Sequence, residues 1–256
     1  MKEWISGRNP AAEVLRAGRR QVFRARVAQG VQEKGRISEI LRLLKSRKVP
    51  VEQVQRRQLD SLGEGHQGIA LETSAYPYSS LPDILELAEK RSEPAFILIL
   101  DTLQDPQNLG SLLRTAEIVG IHGVLLPFRR TATITPAVVS ASSGASEHLL
   151  VAQTNLAQSI ELLKERNIWI AGLEGRPDGQ PGKVEVYTPG QIRLDGPLAL
   201  VVGNEGEGMR PLVRDSCDFL LQLPMRGQID SFNAAVAGSI ALYLAWQARG
   251  FAGARL

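Results

Sequence analysis

The chain has 256 residues, 43% of them hydrophobic, and a formal net charge of +3. This length and apolar content suffice for one large domain or two smaller ones. The sequence contains no apolar run of about 18 residues, so it predicts no membrane span.

Cysteine and histidine are too scarce to suggest a disulfide or a metal site. Cys217 is the single cysteine, which excludes an internal disulfide and fits the reducing cytoplasm. The N-terminal segment MKEWISGRNP lacks the apolar core of a secretory signal, which again favours a cytoplasmic protein. His66, His122 and His148 lie far apart in the sequence, so we expect no metal site.

Charge is distributed unevenly along the chain. Residues 1–75 contain fifteen Lys and Arg against eight Asp and Glu, a net charge of +7. The remainder contains fifteen against nineteen, a net charge of −4. A basic first quarter on a mildly acidic body predicts a polyanion-binding domain, with a solvated basic surface as the alternative.

Residues 1–75 predict a small α/β domain. Asn9 is the expected N-cap of a helix that begins at Pro10, because proline suits the first helical position. Apolar spacing indicates further elements, namely strands 21–28, 49–55 and 69–72 and helices 36–48 and 56–62. Prolines and serines interrupt all periodicity over 74–82. We therefore place the domain boundary there, with a linker and a first helix over 76–92.

From residue 93 onward, apolar strands alternate with helices. Residues 96–100 and 199–202 are continuous apolar runs, as in strands that are buried on both faces. The other predicted elements are strands 123–126, 149–152, 168–173 and 219–223 and helices 108–119, 135–143, 155–166 and 232–249. A long loop is expected over 174–195. About six strands alternating with helices predict an α/β fold, with a mainly parallel sheet and helices on both faces.

Two loops follow buried strands near the end of the chain. Gly203, Gly206 and Gly208 lie in the first loop and allow a sharp turn close to a ligand, although a plain tight turn is an alternative. Their order is not that of a dinucleotide-binding loop, which disfavours a nucleotide-dependent oxidoreductase. The second loop precedes a helix that Ser231 is expected to cap. Because the strands of a parallel sheet end at one edge, the two loops are expected to meet there.

Three motifs in this region resemble the signatures of the SpoU class of ribose 2′-O-methyltransferases. The first is D-P-x-N-L-G-x-x-x-R-T-A, which begins at Asp105 and contains Asn108 and Arg114. The second is the glycine–acid loop that carries Gly203 and Glu205. The third is P-M-x-G-x-x-x-S-[LF]-N, matched by Pro224, Met225, Gly227, Ser231, Phe232 and Asn233. These motifs occur in the family's order.

The resemblance implies the fold of both domains. Residues 93–256 would form the SPOUT α/β-knot domain, a trefoil-knotted, mainly parallel α/β fold that forms a homodimer near its last helix. The opening GRNPAAEVL and the segment 65–69 resemble the RNA-binding domain, akin to ribosomal protein L30e, of the branch that modifies large-subunit rRNA. His66 and Gln67 are candidate RNA contacts there, and a simple turn before a strand is the alternative.

The resemblance also implies the cofactor and its site. S-adenosylmethionine would bind in the knot through main-chain contacts at Gly203, Leu223 and Phe232, without a metal. The family assigns removal of the ribose 2′-hydroxyl proton to the arginine of the first motif, here Arg114. An arginine pKa lies above about 12, so Arg114 has two other candidate roles. It could stabilise the developing alkoxide, or it could hold the phosphate beside the ribose.

The remaining polar motif residues are expected to complete the catalytic pocket, and they are Asn108, Glu205, Ser231 and Asn233. Glu205 is expected to hold Arg114 or Asn108 in place. The predicted function is methyl transfer to a ribose 2′-hydroxyl in RNA, with a guanosine of 23S rRNA as the target. A tRNA ribose methyltransferase and an antibiotic-resistance rRNA methyltransferase are the alternatives. The intact polar residues argue against a non-catalytic RNA-binding protein.

Overall fold

The computed structural model describes residues 2–63, 65–175, 184–206 and 208–255. The chain divides into two compact units, Met1–Pro77 with Thr133–His148 and Tyr78–Ala132 with Leu149–Leu256. The predicted domain limits stay predictions. The division contains one feature that was not predicted. The chain leaves the second unit at residue 133 and returns to it at residue 149.

A four-stranded sheet forms the centre of the first unit. The elements up to residue 77 are β1 Lys2–Ser6, α1 Arg8–Ala17, β2 Val22–Ala28, α2 Arg36–Ser46, β3 Val51–Val54, α3 Arg56–Asp60 and β4 Ile69–Ser74. The strand order is β1-β4-β2-β3, with β4 antiparallel to β1 and β2 and with β3 parallel to β2. The predicted N-cap at Asn9 is wrong. β1 leads straight into α1 through Gly7, whose φ of 102° suits glycine.

The later elements follow in chain order, and they are α4 Leu81–Arg91, β5 Phe96–Leu100, α5 Pro106–Ile118, β6 Gly123–Pro127, α6 Pro136–Ala141, β7 Val151–Thr154, α7 Leu156–Glu165, β8 Trp169–Glu174, β9 Val186–Tyr187, β10 Leu198–Val202, α8 Pro211–Asp215, β11 Phe219–Gln222 and α9 Ala234–Ala248. All except α6 belong to the second unit. Its described strands form one sheet in the order β7-β6-β5-β10-β8-β11-β9, and every pair is parallel.

Two predicted elements differ from the structure. The short strand β9 lies within the predicted loop 174–195, of which 176–183 fall outside the described residues. The predicted helix 135–143 is shorter in the structure, where α6 ends at Ala141, and a 3-10 turn that was not predicted follows at Ala145–His148. Ser143 and Gly144 both have positive φ, and they turn the chain between these two helical segments.

Strand burial explains why this sheet has helices on both faces. Every residue of β5 and β10 is buried, and neighbouring side chains on a strand point to opposite faces. Ile97, Ile99 and Val201 pack in one cluster with α4, α7 and α8. On the other face, α9 approaches closely at Gly238, where a Cβ would lie 2.6 Å from Leu112 of α5. The predicted arrangement of helices on both faces is therefore correct.

In the first unit, segment 133–148 is held by a buried ion pair. The Arg20 side chain is fully buried, and its Nε donates to both Glu147 carboxylate oxygens at 3.1 and 2.9 Å. Glu3 also accepts from Arg20 at 2.8 Å. Tyr76 donates from its hydroxyl to the Ser146 carbonyl, and burial raises the pKa of Tyr76 to about 12. The two contacts to segment 133–148 join residues that are 70 and 127 positions apart in the sequence.

Candidate active site

A cleft opens at the carboxyl edge of the parallel sheet in the second unit. Its volume is about 690 Å³, and it lies where β8, β10 and β11 end. Gly203, Leu223 and Phe232, the predicted cofactor contacts, all line it. The two loops that were expected to meet at one edge of the sheet therefore do so. Ser231 also lines this cleft.

The glycine loop after β10 folds back tightly on itself. Asn204 and Gly208 exchange backbone hydrogen bonds of 3.0 and 3.1 Å. A Cβ at Gly203 would lie 2.3 Å from the carbonyl carbon of Gly208, so only glycine fits there. Gly206 and Gly208 have φ of 90° and 69°, values that residues other than glycine rarely adopt. Glycine is therefore needed at Gly203 because of the close backbone approach, and at Gly206 and Gly208 because of their positive φ. Backbone hydrogen bonds close the loop.

A buried carboxylate that the sequence analysis passed over anchors the far end of this loop. Asp101 follows β5 directly and is fully buried. Its Oδ2 accepts from the Arg210 backbone N–H at 2.8 Å, and its Oδ1 accepts from Arg210 Nε at 2.7 Å. Arg210 is the N-cap residue of α8, so the pair fixes where the loop ends. The sequence did contain a signal for this buried carboxylate, namely an acidic residue directly after an all-apolar strand. A residue at the end of a buried strand is itself expected to be buried.

Three of the predicted catalytic residues form one hydrogen-bonded cluster. Asn108 Nδ2 donates to Glu205 Oε1 at 3.0 Å. Asn233 Nδ2 donates to Asn108 Oδ1 at 3.1 Å and also to Glu205 Oε1. The backbone N–H of Ala234 donates to the same Glu205 oxygen at 3.3 Å. Glu205 therefore holds Asn108, one of the two partners expected for it, and joins α5 to the start of α9.

The structure moves the last N-cap from Ser231 to Asn233. Asn233 Oδ1 accepts from the backbone N–H groups of Ala235 and Val236 at 3.0 and 3.1 Å. The helix begins at Ala234, and the Asn233 side chain that caps it also donates to Glu205. The expected cap at Ser231 is wrong. At the other helix of the site, Asp105 caps α5 by accepting from the backbone N–H groups of Gln107 and Asn108.

Arg114 stands apart from this cluster. It lies on the exposed side of α5 and is not among the residues that line the cleft. Its guanidinium has no hydrogen-bond or ion-pair partner in the described part of the chain. The expected contact with Glu205 does not form. Within the described residues, the donors of Arg114 are therefore available to a bound ligand.

The histidines and the cysteine lie elsewhere. His122 precedes β6, at the opposite edge of the sheet from the cleft, and burial together with nearby Arg91 lowers its pKa. His66 and His148 belong to the first unit. Burial raises the pKa of Cys217 to about 12, and it packs in the core of the second unit.

In the described ranges, no group of three or more His, Cys, Asp or Glu could hold a metal ion. No described helix is long and apolar enough to cross a membrane.

Comparison with protein families matches both parts of the chain. Residues 95–243 match the model described as the SpoU rRNA Methylase family. Residues 4–79 match the model described as RNA 2′-O ribose methyltransferase substrate binding. A putative TrmH family tRNA/rRNA methyltransferase, YacO of Bacillus subtilis, is 40% identical over 253 residues, which is 96% of each chain. A putative member of the same family from Staphylococcus saprophyticus is 36% identical over 97% of each chain.

Solved structures share the fold of this chain at lower identity. The SpoU methyltransferase AviRb from Streptomyces viridochromogenes, in complex with AdoMet, has a TM-score of 0.78 and 20% identity. That match covers 98% of this chain and 91% of AviRb. An AdoMet-bound rRNA methyltransferase from Sinorhizobium meliloti has a TM-score of 0.76 and 20% identity over 96% and 87% of the two chains. The predicted fold class is confirmed, and the chain belongs to the SpoU rRNA methylase family.

Proposed function

We propose that this chain transfers a methyl group from S-adenosylmethionine to a ribose 2′-hydroxyl of RNA, with a guanosine of 23S rRNA as its target. The observation that carries the proposal is the Asn108–Glu205–Asn233 cluster beside the cleft, in a chain of the SpoU family. The likeness to AdoMet-bound SpoU methyltransferases, which covers nearly the whole chain, supports the same cofactor.

The cleft fits S-adenosylmethionine in size and chemistry. Ligand sites of this kind occupy about 300–1,000 Å³, and this cleft is about 690 Å³. Gly203 and Leu223 would hold the cofactor through their backbones, with Phe232 at 40% exposure offering a ring surface. When bound, S-adenosylmethionine supplies a methyl group that its sulfonium makes electrophilic. The closed glycine loop keeps the backbone donors and acceptors in place before binding.

Glu205 is the residue best placed to receive the hydroxyl proton. Its Oε1 accepts all three bonds of the cluster, from Asn108, Asn233 and the Ala234 backbone. Its Oε2 accepts none from the described residues and is therefore open to a ribose hydroxyl. Asn108 and Asn233 hold the carboxylate in orientation, which is the condition for proton transfer within hydrogen-bond reach. Ser231 is a further polar contact for the substrate at the same cleft.

Arg114 then acts on the RNA backbone. An exposed guanidinium without a carboxylate partner is suited to a phosphate, which it can contact through two parallel hydrogen bonds. Holding the phosphate next to the target ribose would fix the position of the 2′-hydroxyl. Alignment of reacting groups can contribute about 7 kcal/mol or more in favourable systems. Arg114 thus need not lose a proton to be indispensable.

A homodimer is part of the proposal. On α9, the apolar residues Val236, Ile240 and Tyr243 are 48%, 36% and 49% exposed and recur at helical spacing. Ile118 on the neighbouring α5 is 58% exposed. Exposed apolar residues on two neighbouring helices favour association with a second copy. Light scattering should give the mass of two chains, and Tyr243→Asp should give the mass of one.

Methyl transfer to isolated RNA tests the function. Purified protein, radiolabelled S-adenosylmethionine and deproteinised 23S rRNA or tRNA are incubated, and ribose methylation is mapped in each RNA. We expect label on one guanosine of 23S rRNA and none with Glu205→Gln. Label on tRNA alone would support the alternative substrate. Calorimetric binding of NAD without any binding of S-adenosylmethionine would overturn the methyltransferase proposal itself. The cytoplasm, where these RNAs are found, is the proposed location.

A further inference from the structure

The loop that follows β6 combines an exposed aromatic ring with two cations. Phe128 is 67% exposed, and the next two residues, Arg129 and Arg130, are exposed as well. Neither guanidinium has an ion-pair or hydrogen-bond partner in the part of the chain that the structure describes. This contrasts with the second unit as a whole, which carries a net charge of −3.

The backbone holds this loop in one place. The carbonyl of Leu103 accepts from the Ala132 backbone N–H at 2.7 Å and from the Thr131 hydroxyl at 3.0 Å. Leu103 lies two residues before Asp105, which caps α5 and bonds to the backbone of Asn108. The exposed ring is therefore carried by a loop that is bonded to the segment leading into the catalytic cluster.

The position in the sheet points to the substrate side. β6 runs parallel to β5, and Ile97 pairs with Gly123, so the loops after both strands lie at the carboxyl edge of the sheet. The cofactor cleft occupies the same edge around β8, β10 and β11. In the sheet, β5 lies next to β10, and β6 lies beyond β5. A ligand that reaches from the cleft toward this side meets the loop after β6.

We propose that Phe128, Arg129 and Arg130 bind single-stranded RNA beside the methylated nucleotide, with a base stacked on Phe128 and phosphates held by the arginines. An aromatic face next to unpaired cations is the combination by which proteins bind unpaired nucleotides. An exposed ring beside two positive charges suits a polyanion whose bases are unpaired. This inference rests on the proposed function, because it names the RNA contact of the same site.

The test uses the full-length protein, deproteinised 23S rRNA and a matched control. Phe128→Ala should raise the KM for RNA about 5- to 150-fold, the range for one lost base stack, and Phe128→Trp should restore it. The control is Leu212→Ala. Leu212 is 66% exposed in the same unit, and Arg210 and Arg214 on either side of it are paired with Asp101 and Glu174. Leu212→Ala should leave the KM unchanged.

A second measurement separates stacking from charge. The double variant Arg129→Gln, Arg130→Gln should reduce the slope of log affinity against log salt by about 1 for each arginine that contacts a phosphate. Calorimetry should give the wild-type cofactor affinity for both variants. An unchanged KM in Phe128→Ala overturns the inference, as does conversion of a dimer to a monomer, which would make the loop a protein interface.

Failure of the inference can be told apart from failure of the proposed function. If the wild-type protein transfers no methyl group to any RNA, the function is wrong, and direct binding by fluorescence anisotropy of a labelled oligouridine still tests the loop. Weaker binding by Phe128→Ala in that assay supports the loop as an RNA contact. Equal binding by Phe128→Ala and wild type refutes it.

Discussion

Gly203→Ala is the substitution that examines the glycine loop most directly. The added Cβ would lie 2.3 Å from the Gly208 carbonyl carbon and 2.4 Å from the Met209 nitrogen, and both are backbone atoms. Ordinary contacts to a Cβ begin near 3.4 Å, so the loop has to move by about 1 Å. Overpacking of this degree costs about 1–3 kcal/mol. For a unit of this size, we expect the Tm to fall by about 2–12 °C.

The same movement should affect chemistry more than stability. Glu205 lies on the displaced loop, and a misplacement of about 1 Å can lower a rate about 100-fold. Cofactor affinity should also fall, because Gly203 and Gly206 line the cleft. The assays are calorimetric titration with S-adenosylmethionine, thermal unfolding and single-turnover methyl transfer. Gly196→Ala is the control, since a Cβ there meets nothing within 4 Å. Wild-type affinity and rate in Gly203→Ala would refute the reasoning.

Substitutions at three further positions have expected outcomes. Asp101→Asn removes the charge of the carboxylate that accepts from Arg210, and it should lower the free energy of unfolding by about 1.5–3 kcal/mol. Unfolding in urea measures this loss, and an unchanged midpoint would contradict the anchoring role. Arg114→Ala should abolish methyl transfer while cofactor affinity and Tm stay at wild-type values. If the activity of Arg114→Lys rises at alkaline pH, residue 114 removes a proton rather than binds a phosphate. Tyr76 has a folded pKa of about 12 against an ordinary 10.0, so the folded unit keeps a proton that the unfolded chain releases. Stability should therefore fall as pH rises from about 10 to about 12, and Tyr76→Phe should flatten that fall in pH-dependent unfolding.

The sequence predicted the loops of the site better than their side-chain connections. Continuous apolar runs identified β5 and β10, and glycine spacing located the turn after β10. The Asp101–Arg210 pair was missed because its members are 109 residues apart and each alone has the character of a surface charge. The Arg20–Glu147 pair was missed for the same reason, at a separation of 127 residues. Local periodicity contains no information about partners at such distances.

The last helix illustrates a different limit. Its many small residues allow close approach of another backbone, but composition alone does not indicate which one. In the structure, the close approach at Gly238 is to Leu112 and Val202 of the same unit. Leu242 is buried in this unit, whereas Val236, Ile240 and Tyr243 are exposed. Because both faces of α9 are apolar, amphipathic spacing could not separate the packed side from the side that we propose for the dimer. The trefoil knot stays a prediction.

The bonds within the Asn108–Glu205–Asn233 cluster limit what each member can do. The Asn233 side chain donates to Glu205 and to Asn108 and accepts from the start of α9, so this amide is occupied by the protein. Asn108 both donates to Glu205 and accepts from Asn233. Among the described residues, an open carboxylate oxygen on Glu205, the guanidinium of Arg114 and the hydroxyl of Ser231 are then left for the substrate. A carboxylate accepts a proton near neutral pH far more readily than an arginine loses one. We therefore infer a division of labour, with proton acceptance at Glu205 and phosphate positioning at Arg114.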